Sequence, residues 1–540
     1  MSETRDWRAG AALAGAALLV SLPGLIPYHA HPLPTWWQDW IALVLGLAAA
    51  LPLLVPRRGE RITVPWISIG FVAFAGVLVL QVAIGRVTYA ETSALGIACA
   101  LWAALVAMAG WRLREMLSTY RAATLLQAAL AAGGFGAAML GIMQFYGLEL
   151  AGFALAVEGE VQGMVGATGQ RNYFALIEAC GLASIAFLWV RGRTRGAIAL
   201  AAGAPMAAAL ALSGSRSAWL YAAIMLGCLA WRGGARARTA IAAIATALAI
   251  GAWLPLPPGQ VETGASRLLD PIADSPRLTL ARYAWDIFQT APLLGAGWGE
   301  FSWRAAEMCG HPPPPPCLLD RHAHNLGVQL LAETGAIGAA AILAPLAAWW
   351  VALLRGWPRY RGRRIAPVQI HWLLAIAAMH ASLAMLELPH WQLYLLGPAA
   401  LLLGLGARSA PAFTVPAGWR WAGPALLALS LAGAAQAMAD YRRLAAWVSE
   451  AQALERAARG GPLEIPVRLL VELEGLAGTL LRPQAELIAA QIPLPAATAA
   501  DLAAQIALTG RALHQFPVPG VAERRAELLR QAAQGAFTAP

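Results

Sequence analysis

A chain of 540 residues in which 59% of the side chains are hydrophobic and only 13% are charged has more apolar surface than a soluble core of this length needs. These proportions exclude an ordinary water-soluble enzyme and indicate a protein solvated by a lipid bilayer. The formal net charge is +10 and all 39 basic residues are arginine, which we interpret as coding bias rather than as a sign of nucleic-acid binding.

Apolar stretches recur from the N-terminus to about residue 437, each close to the roughly 20 residues that a helix needs to cross hydrocarbon. No small-residue cleavage site follows the first stretch, so we interpret it as an uncleaved helix. We predict an all-α, polytopic transmembrane helical bundle with about 12–13 spans. The candidate spans are 9–27, 38–55, 65–84, 91–110, 122–146, 173–190, 197–213, 217–231, 239–255, 325–354, 367–386, 390–406 and 419–437.

Arginines distinguish the two sides of this predicted bundle. When the spans are numbered alternately, most arginines fall in short connections on one side, which the positive-inside rule assigns to the cytoplasm. The opposite, outer side receives fewer arginines, and the topology rule does not explain them. They are Arg86, Arg171, Arg216, Arg267, Arg277, Arg282, Arg304 and Arg321.

One outer connection, residues 256–322, is long and contains a proline run that cannot be helical. Cys309 and Cys317 flank this run, and they are candidates for a disulfide in an oxidising compartment. Spacing alone does not decide whether their geometry allows the bond. Residues 278–289 of the same loop are amphipathic and predict a helix that lies on the membrane.

An odd number of spans also places the C-terminal segment, residues 438–540, on the outer side. This segment has helical periodicity and is interrupted by several prolines, so we predict a small soluble domain of short helices. The chain therefore divides into a transmembrane domain, residues 1–437 with the loop 256–322, and this helical outer domain.

Two outer turns each place one arginine beside a predicted helix N-terminus. Gln170, Arg171 and Asn172 open one span, and Arg216 stands in a serine- and glycine-rich turn before another. A guanidinium next to free backbone N–H groups is a good ligand for a phosphate or diphosphate. The alternative is that each arginine only reaches towards the lipid headgroups.

His322, His324 and Asn325 stand at the mouth of a later span that carries Glu333. A histidine at a water interface can accept a proton near neutral pH, which a hydroxyl nucleophile requires. A solvated loop histidine is the alternative. A metal site built from His311, His322 and His324 is less favoured, because the spacing matches no standard zinc pattern.

A further outer turn brings together a carboxylate, an imidazole and a phenol, from Glu387, His390 and Tyr394. Ionisable groups at membrane depth are costly, so this turn is also a candidate for a site. Simple pairing with the arginines is the alternative.

Several motifs follow one another along the chain. They are Gly-Gln-Arg-Asn at 169–172, Ser-Arg-Ser-Ala-Trp at 215–219, an arginine at 277 leading to Pro-Leu-Leu-Gly-x-Gly-x-x-x-Phe at 292–301, and a His-x-His-Asn and Leu-x-Glu-x-Gly pair over 322–335. In this order, the motifs resemble the bacterial O-antigen ligase superfamily. Within that superfamily the chain is most similar to the O-linked protein oligosaccharyltransferases that glycosylate pilins. The turn with Glu387 and Tyr394 and the added outer domain favour this branch.

The resemblance implies a metal-independent, inverting transfer of a glycan from undecaprenyl diphosphate to a serine or threonine hydroxyl of a pilin or another periplasmic protein. It also implies a bacterial inner-membrane enzyme that faces the periplasm and needs no cofactor. Carried over residue by residue, Arg171, Arg216 and Arg277 bind the diphosphate and His324 takes the proton from the acceptor. Secondary candidates are Arg282 for the diphosphate and, in supporting roles, Gln170, Asn172, Asn325, Glu333, Glu387, His390 and Tyr394.

Other functions stay open at this point. An O-antigen ligase would use the sugar of a lipid A core as its acceptor, and a repeat-unit polymerase comes third. A transporter of a lipid-linked oligosaccharide would also need arginines. Alternating-access carriers, however, are expected to place basic groups near mid-membrane and to contain internal repeats, and the sequence shows neither.

Overall fold

The computed structural model describes residues 7–29, 32–57, 59–148, 163–257, 276–309, 320–355, 366–407, 411–416, 418–458, 465–492 and 498–534. Helices make up nearly all of the regular structure in these ranges. They are α1 (Trp7–Ser21), α2 (Trp36–Ala49), α3 (Leu51–Leu54), α4 (Trp66–Ala83), α5 (Ala90–Phe145), α6 (Arg171–Val190), α7 (Gly196–Leu212), α8 (Arg216–Arg232), α9 (Ala235–Ala252), α10 (Pro276–Thr290), α11 (Phe301–Cys309), α12 (Leu326–Arg355), α13 (Ala366–Ala384), α14 (Leu393–Gly406), α15 (Trp419–Ala458), α16 (Val467–Leu476), α17 (Arg482–Gln491), α18 (Ala499–Gln515) and α19 (Pro519–Ala533). Single 3-10 turns lie at Pro23–Leu25, Gly166–Thr168 and Pro389–Trp391, and the strands β1 (Arg61–Thr63) and β2 (Ala412–Thr414) pair antiparallel.

The predicted all-α, polytopic membrane fold is confirmed. Six described helices, α4, α5, α6, α9, α12 and α15, are long and apolar enough to cross a membrane, and shorter apolar helices lie in α1, α7, α13 and α14. Each predicted span falls on one or two of the helices. Alanine and glycine let these helices pack closely, as where Gly110 and Gly404 meet the backbones of Leu401 and Ala107.

Helix α5 contains two of the predicted spans, because its backbone breaks at Ser118, where φ is 74° and ψ is 152°. Near its start, Gly96 approaches Trp298, and near its end, Gly141 approaches Phe174. Both contacts lie at the same end of the bundle, whereas the middle of α5 reaches the other end. The chain therefore reverses direction at Ser118, as two antiparallel spans require.

Hydrogen bonds between loops define the two ends of the bundle. At one end, which we call the site end, His29 bonds to the carbonyl oxygen of Ala167 at 2.9 Å and Thr35 donates to Gln392 at 2.6 Å. These contacts join the connections before α2, α6 and α14. The loops around α10 and α11 belong to the same end.

At the other end, which we call the arginine-rich end, contacts involve arginines that the topology rule assigns to one side. Arg112 pairs with Glu60, and Arg191 donates to Gln127 at 2.6 Å. The β1–β2 ribbon also lies here, because Thr63 of β1 donates to Glu115 near the middle of α5. Arg112 and Arg191 of the first set thus lie at the end of the described bundle opposite to the site end.

Helix α12 is interrupted at Gly335, where φ is 64° and ψ is −170°. The next two amides cannot complete the helix, and they donate instead to the carbonyl oxygens of Pro292 at 2.8 Å and Leu293 at 3.2 Å. The predicted span 325–354 is therefore a short helix followed by a long one, and the break receives the loop after α10.

The predicted boundary at residues 437 and 438 lies inside α15, which runs unbroken from its apolar half to Ala458. Helices α16 and α17 pack on its second half around Tyr441, Leu444 and Trp447. A smaller apolar cluster joins α17, α18 and α19. The described part of the segment after the predicted boundary thus begins as the continuation of a candidate span and goes on as shorter helices.

Candidate active site at the site end

The centre of the candidate site is the carboxylate of Glu387, whose side chain is 7% exposed. One oxygen accepts hydrogen bonds from Arg277 at 2.7 Å and Asn172 at 2.9 Å. The other oxygen lies 2.7 Å from Nδ1 of His324. Ser215 donates to Asn172 at 2.7 Å and extends the network. Three segments that are far apart in the sequence therefore meet at one carboxylate, and a fourth joins them through Asn172.

Each of these segments is the beginning of a helix. Asn172 is the second residue of α6, Ser215 precedes α8, Arg277 is the second residue of α10, and His324 lies two residues before α12. Helix N-termini carry unpaired N–H groups and a partial positive charge. Their convergence makes this region suited to an anion, as the sequence indicated for two of the turns.

The backbone of His324 is strained, since its φ of 50° is positive. Among the described residues that are not glycine, only Ser118 shares a positive φ. Asn325 caps the following helix, because its side-chain oxygen accepts from the amides of Gly327 at 3.0 Å and Val328 at 3.2 Å. The cap and the strained residue together fix the imidazole above α12.

Both nitrogens of the His324 ring face carboxylates, since Nε2 lies 3.0 Å from Asp320 while Nδ1 faces Glu387. Burial alone would lower the pKa of His324, but these two hydrogen bonds raise it to about 9. For Glu387 and Asp320, burial opposes the hydrogen bonds and charge of His324, and the balance lowers the pKa of both carboxyl groups. The resting site thus holds an imidazolium between two carboxylates.

Among the described residues, one group could hold a metal, and it would do so by regrouping these same atoms. Asp320, His322 and His324 place one potential ligand atom each within 4.8 Å of one another. Two of those ligands are already hydrogen-bonded to each other, so a divalent ion would have to displace that contact. His311, the third histidine of the zinc alternative, lies outside the described residues.

The glycine-rich motif at 292–301 and the Leu-x-Glu-x-Gly motif at 331–335 pack against each other, and we call this pair the platform. Gly295 and Gly335 both have positive φ, and a Cβ on either would overlap the backbone of the other motif. Ala296 donates to the Ala332 carbonyl at 2.9 Å. The carboxylate of Glu333 accepts from the amides of Gly299 at 3.1 Å and Phe301 at 3.3 Å. Glu333 is therefore a positioning group that fixes the glycine-rich loop on α12.

A cavity of about 750 Å³ opens beside this platform and is lined mostly by apolar side chains. Its polar mouth includes His322 and Glu333, and its far end reaches Trp350 near the end of α12. At 1.5 Å per helical residue, Glu333 and Trp350 are roughly 25 Å apart, which is close to the hydrocarbon thickness. The cavity therefore runs along most of the membrane-spanning length of the bundle.

The remaining predicted residues do not all lie at the Glu387 network. Arg171 and Arg216 are the first residues of α6 and α8, beside the network. Gln170 caps α6 by accepting from the amide of Tyr173 at 2.7 Å. Arg282 is exposed, and it lies five positions after Arg277, about 140° around α10, so the structure does not bring it to Glu387.

The other two predicted residues of the Glu387 turn, His390 and Tyr394, lie in different surroundings. His390 lines the cavity, whereas Tyr394 packs edge-on against Tyr173, with ring centroids 6.5 Å apart. In the outer loop, Cys309 is disulfide-bonded, and its predicted partner Cys317 lies outside the described residues.

Sequence reasoning missed Asp320 and Gln81. Asp320 stands four positions before His324, a spacing that a search for histidine partners would have found. Gln81 gave no such signal. Its side chain donates to the carbonyl oxygens of Leu294 at 2.6 Å and Glu333 at 2.7 Å, so it joins the platform from a distant helix.

A comparison with known protein families finds a match that includes part of this site. Residues 201–343 match the family model of the O-antigen ligase. This range contains the Arg216 turn, α10, the glycine-rich loop, the His324 segment and the first half of α12. A comparison with the curated proteins finds no match. The resemblance to the O-antigen ligase superfamily expected from the motifs is thereby confirmed.

Proposed function

From the match of residues 201–343 to the O-antigen ligase family model, we propose that this membrane protein is a glycosyltransferase that takes a glycan from a lipid diphosphate and delivers it to a protein hydroxyl. The observation that carries the proposal is the Glu387 network, in which one carboxylate joins the candidate base His324 to the candidate diphosphate ligand Arg277. This network connects the two functions that such a transfer requires, charge neutralisation on the leaving group and proton removal from the acceptor.

The donor diphosphate is assigned to the meeting point of the helix N-termini. Arg171, Arg216 and Arg277 each stand at or next to the first residue of a helix there. Guanidinium groups and free N–H groups stabilise the negative charge that develops on a departing diphosphate. No metal is needed for that step when fixed cations supply the charge.

The chemical step is a single displacement at the anomeric carbon. The acceptor oxygen forms a bond to that carbon, the bond from the carbon to the diphosphate oxygen breaks, and configuration inverts. His324 takes the acceptor proton, and Asp320 and Glu387 orient the ring and stabilise the imidazolium that results. Because the pKa of His324 is about 9, only about one molecule in a hundred has the free base at pH 7.

The long cavity suits the lipid part of such a donor. Its deeper lining is apolar, with Phe71, Phe74 and Leu346 among the lining residues. A polyprenyl chain is a flexible hydrocarbon that gains free energy when these surfaces cover it. The glycan would then stay at the mouth, next to His322 and Glu333.

For the acceptor we propose a serine or threonine of a pilin or a similar protein outside the cytoplasm of a bacterium, with the site end facing the periplasm. The turn with Glu387 and the added C-terminal domain support this branch. Transfer to the sugar of a lipid A core is the competing outcome, and the same donor site serves both.

The deciding experiment is an acceptor assay with purified protein and a lipid-linked glycan. We expect labelling of a serine-containing pilin-type peptide, and loss of labelling in His324→Ala that still inserts into the membrane. Labelling of lipid A core alone would replace the protein acceptor by the ligase assignment. Detergent-solubilised protein should turn over its donor without a sealed bilayer, which a transporter cannot be observed to do.

A further inference from the structure

The mouth of the long cavity has a wall that belongs to the C-terminal domain. Gln484 of α17 and Gln515 of α18 line the cavity opposite Arg321 and His322 of the loop before α12. His322 lies next to the candidate active site, because its ring centroid is 4.4 Å from that of His324. Whatever occupies the mouth therefore touches two domains.

This wall is fixed to the bundle by polar contacts. The buried carboxylate of Glu486 accepts hydrogen bonds from Tyr89 at 2.8 Å and from Arg482 and Arg511, both at 2.9 Å. Tyr89 belongs to the connection before α5, so the network crosses between the domains. Since Glu486 is two residues after Gln484, it holds the start of α17 at the cavity.

A second contact holds α18. His514 lies 2.6 Å from the carboxylate of Glu300 and stacks on Trp303, with ring centroids 4.4 Å apart. Gln515 follows directly in the chain. Both glutamines are thus presented by helices whose positions are set by the bundle, which is what a preorganised binding surface requires.

Two polar atoms at this mouth have unmet hydrogen-bonding capacity. The side-chain oxygen of Gln484 and Nδ1 of His322 are both buried, and neither forms a hydrogen bond with the residues that the structure describes. Leaving such an atom unsatisfied costs about 1–3 kcal/mol. The nearest carboxylate oxygen to Nδ1, on Asp320, is 3.8 Å away, which is too far for a hydrogen bond.

The mouth also contains aromatic faces. Trp298 and Trp391 stack with centroids 5.1 Å apart and an interplanar angle of 22°, and both line the cavity. A flat apolar surface beside a few fixed hydrogen-bonding groups is the combination that binds a sugar ring, which has apolar faces and a hydroxyl edge.

We propose that α17 and α18 form a glycan-binding wall, with Gln484 accepting a hydrogen bond from a hydroxyl of the donor glycan. The inference rests on the proposed function, and it assigns to the C-terminal domain a part in choosing the donor. Gln484 is a specificity-determining residue in this scheme and takes no part in the displacement itself.

The test measures donor kinetics in Gln484→Ala, with Gln491→Ala as the matched control. Gln491 is an exposed glutamine at the end of the same helix, and among the described residues its side chain bonds only to the Leu487 carbonyl oxygen. Loss of one hydrogen bond should raise the donor KM roughly three- to tenfold with little change in kcat. The free oligosaccharide, without lipid or diphosphate, should inhibit the wild type competitively with donor and inhibit Gln484→Ala less, whereas Gln491→Ala should match the wild type.

Unchanged donor KM and unchanged inhibition in a folded Gln484→Ala variant would contradict the glycan-binding wall without contradicting the proposed glycan transfer. A rise in the acceptor KM alone would overturn the glycan-binding wall in favour of an acceptor contact. Wild-type protein that transfers no glycan would remove the proposed function as well. If Gln484→Ala fails to fold, Gln484→Met keeps the volume of the side chain, removes its oxygen and gives the same readout.

Discussion

Nδ1 of His324 lies 2.7 Å from the carboxylate of Glu387, although the two residues are 63 positions apart. The same carboxylate holds Arg277 at 2.7 Å. In the proposed reaction, proton transfer and anion binding are therefore coupled through one buried side chain. Any change at Glu387 should be felt at both.

Replacement of Glu387 by alanine should reduce glycan transfer by at least about a hundredfold, because it releases both the candidate base and Arg277. The measurement is the transfer rate of purified variant at saturating donor. Glu307→Ala, which removes an exposed ion pair with Arg304, should leave the rate unchanged. A Glu387→Ala rate within a few-fold of the wild type would contradict the central position of this carboxylate.

The pH dependence follows from the raised pKa of His324. A base must be neutral to act, so kcat/KM should rise about tenfold per pH unit below pH 9 and level off above it. Asp320→Asn removes one of the carboxylates that raise this pKa, and the rising limb should then move to lower pH. A rate that falls as the pH passes 9 would show instead that the imidazolium is the working form.

Removal of metal ions by a chelator distinguishes a role in proton transfer from a role in metal binding for Asp320, His322 and His324. We expect the transfer rate to be the same with and without EDTA, since arginines supply the positive charge in the proposed step. Loss of activity in EDTA that a divalent cation restores would assign these residues to a metal instead.

Gly335→Ala should destabilise the protein, because the residue has a positive φ and its Cβ would overlap the Leu293 backbone. The strain of the φ alone costs on the order of 1–3 kcal/mol. Gly227→Ala is the control: it lies in α8 with open space around its Cβ, and alanine favours a helix by about 1 kcal/mol. The check is the unfolding midpoint in detergent. Equal midpoints for both variants would contradict the packed platform.

The orientation can be tested by labelling single cysteines in intact cells. Leu293 at the site end and Phe413 at the arginine-rich end are 65% and 57% exposed. A membrane-impermeant reagent should label Leu293→Cys directly and Phe413→Cys only after permeabilisation. The reverse pattern would place the site end in the cytoplasm.

The sequence by itself determined the membrane class, the helices and their order, because apolar length and the positions of arginines act through the bilayer rather than through any particular contact. The motifs also predicted His324 and Arg277 as site residues. Only the tertiary structure shows that Glu387 contacts both residues and that Asp320 contacts His324. It also shows that Gln81 joins the glycine-rich loop to α12. Those contacts join residues from separate helices, and no local pattern encodes the distance between them.

The same reason applies to the segment after residue 437. Periodicity predicted short helices after residue 437, yet the structure continues α15 past that point to Ala458. The placing of Gln484 at the cavity depends on the hydrogen bond between Glu486 and Tyr89, which are 397 positions apart. Chain composition decides which segments enter the bilayer. Long-range hydrogen bonds in buried places decide which side chains meet, because only the folded bundle brings them within bonding distance.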